Sequence, residues 1–516
     1  MKNIDLVLLP EEYGNRDLLK TIVLKKVGVS ENDKIIIQEV KRSIDARGKS
    51  PVYRLNLNVF INEPVESNDY IINYQNVEKS QKSVIIVGFG PAGIFAALRA
   101  LELGIKPIVF ERGKNVRERR KDLRNIMLFN KVDENSNYCF GEGGAGTYSD
   151  GKLYTRSNKR GDVKKILQIF VNHGASEDIK INTRPHIGTD KLPKIIENIR
   201  NFIIENGGEI HFNERVIEFE VKDTKIKSVI TTQGEYQADA VIIATGHSAR
   251  DIYYLLEKRG IKLSPKDFAI GVRIEHPQIL IDKIQYHCDI RSDYLPPAYY
   301  SYVLKTTDRS VFSFCMCPGG IIIPASTSQE ELVLNGMSPS RRNYKFANSG
   351  FVTEIKESDW QKYSKYGVFA ALEYQKNIEK IMWEFTRTQQ APAIRIVDFY
   401  NKKISTKLNP TSYIPGIKSA PLYELFPIEI TRALTEALGQ LKRKMPMYFT
   451  NEGTLLAPES RTSSPIRIER DRESYQSSIE NLFPSGEGAG FAGGIVSAAI
   501  DGENCMNAVS KYLSLN

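Results

Sequence analysis

Three glycines, Gly88, Gly90 and Gly93, stand in the spacing G-x-G-x-x-G directly after the apolar run VIIV at 84–87. At this spacing the first glycine permits a tight turn and the second lets a pyrophosphate approach the backbone. The third lets a helix pack closely on the preceding strand. The phosphates would sit at the N-terminus of that helix, beside Pro91 and Ala92, where unpaired N–H groups and the helix dipole favour negative charge. Ile94, Ala97, Leu98 and Leu101 face a sheet at helical spacing, and Gly104 can end the helix. A second strand, Pro107–Phe110, delivers Glu111, which stands 23 residues after Gly88. A carboxylate at about that distance binds a ribose hydroxyl pair. Arg112 is expected to face the adenine end, and the acid at 111 disfavours NADP through repulsion of a 2′-phosphate. A glycine-rich turn that binds nothing would not need strand, glycines, helix, strand and acid in this register.

Three later segments favour FAD over NAD. FGEGGAGTYSDGKL (140–153) packs five glycines into a short loop, which lets backbone lie against a large planar or phosphate-bearing ligand. Gly143, Gly144, Gly146 and Thr147 are its expected contacts. AVIIATGHSARD (240–251) resembles the strand–turn element that closes the FAD domain of two-dinucleotide flavoenzymes, with Ala244, Thr245 and Gly246 at the turn. LFPSGEGAGFAGGI (482–495) resembles their C-terminal FAD motif. That resemblance implies Gly486 and Glu487 at the ribityl or pyrophosphate segment. It also implies a helix N-terminus near Gly493, Gly494 and Ile495 aimed at the flavin pyrimidine ring. Val216, from the strand-rich section before AVIIATG, completes the expected cofactor contacts.

With these motifs the chain resembles the bacterial FAD-dependent dehydrogenase family labelled "NAD/FAD-utilising dehydrogenase", related to glutathione-reductase- and fumarate-reductase-type flavoproteins. The resemblance extends over nearly the whole chain. It includes KRSIDAR (41–47), PHIGTDKL (185–192), FAIGVRIEHPQ (268–278), FCMCPGG (314–320), NGMS (335–338) and RTSSPIRI (461–468). It implies fold and cofactor, but no substrate. Only one complete fingerprint is present, so a nicotinamide reductant, NAD(P)H, would meet the flavin without a second Rossmann domain of its own. Alternatively, another protein delivers the electrons.

Hydride chemistry belongs to the flavin, and the protein positions the substrate, moves protons and tunes N1. Candidate residues for this are Arg273 and His276 in GVRIEHP, Arg461 in RTSSPIRI and Cys317 in CMCPGG. Arg suits carboxylate or phosphate recognition through its planar fork, while inter-domain ion pairing is the competing reading for Arg461 and for its neighbours Thr462, Ser463 and Arg467. Cys315 and Cys317 share one face of an extended stretch, a geometry poor for bridging, so buried structural thiols are favoured over a redox pair. His247 is expected in a solvated loop, and His186 has no partner visible in sequence. No metal is expected, since the two thiols stand without further ligands. There is no G-x-S-x-G, H-E-x-x-H or P-loop.

The elements that must position these residues suggest an α/β chain with a split, Rossmann-like FAD-binding domain and an inserted mixed α+β substrate domain. A small α+β domain (1–61) precedes them, with a strand near 4–9, a helix near 17–26, a basic loop KRSIDARGK (41–49) and a strand at 52–61. A linker (62–82), a first FAD-binding part (83–267), the substrate domain (268–450) and a second FAD-binding part (451–516) follow. The 516 residues are 41% hydrophobic and 26% charged, with a mean hydropathy of -0.33. That excludes disordered and fibrous classes. Lys and Arg (71) exceed Asp and Glu (62) by 9, a mild excess that suits anionic ligands and does not diagnose nucleic acid. Five scattered cysteines form no disulfide framework, and no apolar run is long enough for a membrane span, so a cytoplasmic protein is expected. The expected activity is that of an FAD-dependent oxidoreductase moving hydride between flavin and a small organic substrate. The alternatives are an RNA-associated flavoprotein and a flavin-binding electron carrier reduced by a protein partner.

Overall fold

A computed structural model describes residues 1–30, 32–65, 70–155 and 159–515. The expected linker at 62–82 therefore lies partly outside the described residues. A parallel sheet of five strands holds the fingerprint, in the order Leu482–Pro484, Ala240–Ile243, Ser83–Val87, Lys106–Phe110, Glu209–His211. Every neighbouring pair runs parallel. The central strands are covered on both faces, which is why Val84, Ile85, Ile86, Val241, Ile242 and Ile243 are apolar without alternation. The helix Pro91–Glu102 follows the first strand, with Pro91 at its first position and Gly90 as its cap. Its inner face packs on the last helix, Ile495–Leu515. That contact is close: a side chain at Gly502 would lie 2.1 Å from the carbonyl oxygen of Ala92.

The second large layer is a mixed, mainly antiparallel sheet built around Phe268–Pro277, Ser310–Pro324, Phe346–Ile355 and Thr454–Glu459. The helices Ala370–Thr386 and Ile428–Lys444 pack against it. At the N-terminus, a three-stranded antiparallel sheet (Lys2–Leu8, Val52–Ile61, Ile35–Asp45) carries the helix Arg16–Val27. Leu8, Val23 and Leu57 belong to the same hydrophobic core as Val272, Phe351 and Leu438, so this unit is packed onto the mixed sheet. Tyr53 adds a hydrogen bond to the carbonyl of Tyr294 (2.6 Å).

One local expectation changes. The basic stretch at 41–49, expected as a loop, continues the strand Ile35–Asp45 as far as Asp45. Its two arginines are engaged within the protein: Arg42 donates to Tyr13 (2.5 Å) and Asp178 (2.8 Å), while Asp45 holds Arg47 together with Arg54 from the next strand. Among the described residues, no helix is long and apolar enough to cross a membrane.

Candidate functional site

A cavity of about 320 Å³ opens at the C-terminal ends of the parallel strands and reaches the mixed sheet. That volume is in the size class of small-molecule and cofactor sites. The glycine fingerprint forms its floor through Gly88, Gly90, Pro91 and Ala92. Gly88 has φ 103, and a side chain there would lie 2.6 Å from the carbonyl oxygen of Ala244. Gly93 does not line the cavity: its missing side chain would lie 2.0 Å from the Gly88 carbonyl oxygen. It serves the close packing of helix on strand expected for the third glycine.

Glu111 lines the cavity and is only 5% exposed. Its carboxylate accepts three backbone N–H bonds, from Phe89 (2.9 Å), Gly113 (2.9 Å) and Gly141 (3.0 Å). One side chain therefore ties the fingerprint turn, the end of the second strand and the glycine-rich loop together. Arg112 is neutralised by Asp251, with both contacts at 3.0 Å, and stacks over Phe140. Val216 and Glu214 complete this end of the cavity.

In the glycine-rich loop, Gly144 and Gly146 line the cavity, whereas Gly143 and Thr147 do not. Thr147 closes the loop from behind by donating to the carbonyl of Glu142 (2.9 Å). A side chain at Gly144 would lie 3.1 Å from the Gly90 Cα, so the two glycine turns meet across the cavity floor. Below them lies Arg119, fully buried. It donates to the carbonyls of Asn137 (2.7 Å), Glu142 (2.9 Å) and Gly144 (3.0 Å). Among the described residues it has no carboxylate partner, and its Nη2 is unpaired. A buried cation without a counter-ion is costly. Arg119 does not itself line the cavity; its carbonyl bonds brace the glycine-rich loop from behind, and the glycine turns in front of it give a diphosphate backbone to lie against.

The closing turns meet their expected neighbours. Ala244, Thr245 and Gly246 line the cavity beside Gly486, Glu487, Gly493, Gly494 and Ile495. Gly488 packs so tightly on the Ala244–Gly246 turn that a side chain would lie 2.5 Å from the Gly246 carbonyl oxygen. Glu487 stands half-buried near the start of the last helix. Burial pushes its carboxyl up to about 7, against the opposing pull of Lys266.

The far wall comes from the mixed sheet: Phe314, Cys315, Cys317, Asn335 and Gly336, with Lys152 from the glycine-rich loop. Here the flat-strand expectation for the two cysteines is corrected. Pairing passes from Phe314–Gly350 to Cys317–Asn348, so one extra residue bulges out of the strand. Cys315 takes φ 43, a strained value for a residue with a side chain. Two cations pin the bulge: Arg273 donates to the Cys315 carbonyl (3.0 Å) and Lys152 to the Met316 carbonyl. Both thiols line the cavity, and the protein around Cys315 pushes its thiol up to about 11.

The other candidates divide. Arg273 and His276 are fully buried and do not line the cavity. Arg273 is held by Glu459 (2.9 Å) and Asn348 (2.6 Å). His276 bonds the Tyr448 carbonyl (2.9 Å), and burial lowers it to about 4. Arg461 does reach the cavity, but all five of its N–H groups are used. They go to Glu379 (3.1 and 3.0 Å), Glu331 (2.7 Å), Thr327 (2.9 Å) and Ser248 (3.2 Å). His247, expected in solvent, lines the cavity half-buried and bonds Ser248 (3.0 Å). Burial, then the charges of Arg461 and Arg250, lower it to about 3, so it is neutral at neutral pH. His186 bonds the Ser340 carbonyl (3.1 Å). Sequence reasoning did not single out Lys152, Phe314 and Asn335, although all three stand inside motifs it quoted. Among the described residues no cluster of metal-binding side chains occurs.

Residues 267–462 match the family model of the FAD-dependent protein, C-terminal domain-like, and residues 151–269 match flavin containing amine oxidoreductase. Residues 1–60 match a domain of unknown function. An uncharacterized protein of Clostridium beijerinckii is 36% identical over 506 residues, covering 94% of each chain. Among solved structures, CtdE in complex with FAD covers 84% of this chain and 88% of its own at 13% identity and a TM-score of 0.34. A geranylgeranyl bacteriochlorophyll reductase-like protein from Thermoplasma acidophilum covers 84% and 80% at 11% identity and a TM-score of 0.36. Both structures are too remote to bear on the site. With a relative of such identity along nearly its whole length, and two flavin family models matching within it, the chain belongs to a family of FAD-dependent oxidoreductases, with FAD as its cofactor.

Proposed function

We propose that the protein is an FAD-dependent dehydrogenase that moves hydride between the flavin and a small organic substrate, with NAD(P)H as a transient reductant. The observation that carries this is the continuity of one cavity. It begins at Glu111 and Val216, passes the glycine turns and the start of the last helix, and ends on the bulged strand at Cys315. FAD supplies the hydride chemistry when bound. The chain supplies the rest. Gly88, Gly90, Gly144 and Gly486 give the backbone approach, and Arg119 braces the glycine-rich loop from below. The N-terminus of Ile495–Leu515 favours negative charge on the ring system beside it. Glu487, pushed up to about 7, is the lining carboxyl able to exchange a proton near neutral pH. In this proposal residues 83–267 and 451–516 hold the cofactor and residues 268–450 present the substrate wall.

The test is the visible spectrum of the purified protein, before and after anaerobic addition of NADH and, separately, NADPH. A yellow protein that bleaches quickly with one of them is the expected result. A yellow protein that stays oxidised with both removes the nicotinamide step. A colourless protein that takes up no FAD on reconstitution removes the proposal entirely.

A further inference from the structure

The charges along the cavity wall do not cancel evenly. On the side of the mixed sheet the charged lining residues are Asp150, Lys152 and Arg461. Asp150 is held in a two-pronged pair by Arg342 (3.1 and 2.7 Å), and Arg461 is saturated by Glu331 and Glu379. His247 beside them is neutral. Lys152 is different. One of its ammonium protons goes to the Met316 carbonyl, and among the described residues it has no carboxylate partner.

The groups around Lys152 are donors as well. Asn335 spends its side-chain oxygen on the backbone N–H of Gly336 (2.7 Å), which leaves its amide N–H₂ for the cavity. Cys315, aimed by the pinned bulge, faces the same space as a thiol. Phe314 supplies a flat apolar side. This wall therefore offers N–H and S–H donors and one uncompensated positive charge beside an aromatic ring, with no free carboxylate. It complements acceptors, and it repels an ammonium group.

We propose that this wall is the substrate-recognition site and that it takes a small aromatic or conjugated carboxylate, with Lys152 as its anchor and Asn335 and Cys315 as accompanying donors. This rests on the dehydrogenase reading only for the statement that the bound acid is the substrate; the binding itself is independent of turnover.

The experiment titrates the FAD-loaded protein with benzoate and, separately, with benzylamine, following the perturbation of the flavin absorbance and, in parallel, the heat of binding. Benzoate is expected to bind saturably and benzylamine to bind more weakly or not at all. Lys152→Met should weaken benzoate about tenfold or more, the loss given by one charge-assisted hydrogen bond. Lys152→Arg should keep most of the affinity, and Asn335→Ala should lower it in a protein whose charge is unchanged. FAD content should be equal in all variants that fold. Benzylamine binding tighter than benzoate, no benzoate binding, or an unchanged benzoate affinity in both Lys152→Met and Asn335→Ala would overturn the proposal. A failure of NADH and NADPH to bleach the flavin leaves these titrations intact and counts against the dehydrogenase reading alone.

Discussion

Replacing Arg461 with methionine should destabilise the protein in a pH-dependent way. Arg461 stands between Glu331 and Glu379, which are 6% and 0% exposed, and among the described residues Arg250 is the only other cation on the pair. Burial alone would raise Glu331; the charges of Arg461 and then Arg250 outweigh it and hold the carboxyl at about 2. Holding a carboxyl that far below its ordinary 4.5 is worth about 3 kcal/mol at roughly 1.4 kcal/mol per tenfold change. This agrees with the roughly 3–5 kcal/mol lost when one partner of a buried pair is removed. A folded value below the unfolded one contributes stability that is present above about 4.5 and lost as pH falls toward 2. In Arg461→Met only Arg250 is left to offset the burial of two carboxyls, so the under-compensated pair is least tolerable at neutral pH and is relieved once one of them is protonated. Thermal unfolding of the FAD-loaded variant should therefore show Tm lowered by roughly 3 to 5 °C at about pH 7.5, and by less than half of that at about pH 5. An equal loss at both pH values, or none, would refute this account of Arg461 as a neutralised strut between the Ala244–Ser248 turn and the mixed sheet.

Gly88→Ala should yield a protein that purifies with little or no flavin, because φ 103 and a 2.6 Å approach to the Ala244 carbonyl leave no place for a methyl group. The flavin-to-protein absorbance ratio measures this, and a full complement of FAD would count against the tight-turn argument. For Glu487 the sign is opposite to that of Glu331. Its folded value, about 7, lies above its ordinary 4.5, so it withdraws stability as pH rises from about 4.5 to about 7. Glu487→Gln should flatten that part of the decline in a pH series of melting curves, and parallel curves for the two proteins would contradict it.

What the sequence makes legible here is whatever a local backbone requirement dictates. Gly88 and Gly93 can be read because the contacts that exclude a side chain lie within the same strand–turn–helix unit or its neighbouring strand. Glu111 can be placed at the strand end by spacing, but not its three backbone bonds, because Phe89 lies on another strand end and Gly141 reaches it only once the glycine-rich loop folds back. Arg461 looks available in sequence because the acids that neutralise it stand 130 and 82 residues earlier. His247 looks solvated because distant segments wall it in. The cysteine pair fails for a different reason. A two-residue period assumes an unbroken ladder, and one inserted residue at Cys315 leaves that thiol exposed while Cys317 stays paired and buried. Lys152 is visible as a letter, but its lack of a counter-ion is a property of the assembled wall.

The pairing of Leu482–Pro484 with Ala240–Ile243 has a consequence for how the chain matures. An edge strand of the nucleotide sheet, and the helix that covers Pro91–Glu102, are made long after the strands and the helix that they complete. Until residue 482 and the segment after it are made, Gly486, Glu487 and Ile495 are missing from the cavity, and the apolar face of Pro91–Glu102 lacks its cover. The intervening segments can collapse locally while synthesis continues, but this closure must wait and spans a very long stretch of chain. A complete cavity thus waits for the segment after residue 482, and a chain stopped before Ile495 would expose the surface that the helix Ile495–Leu515 covers.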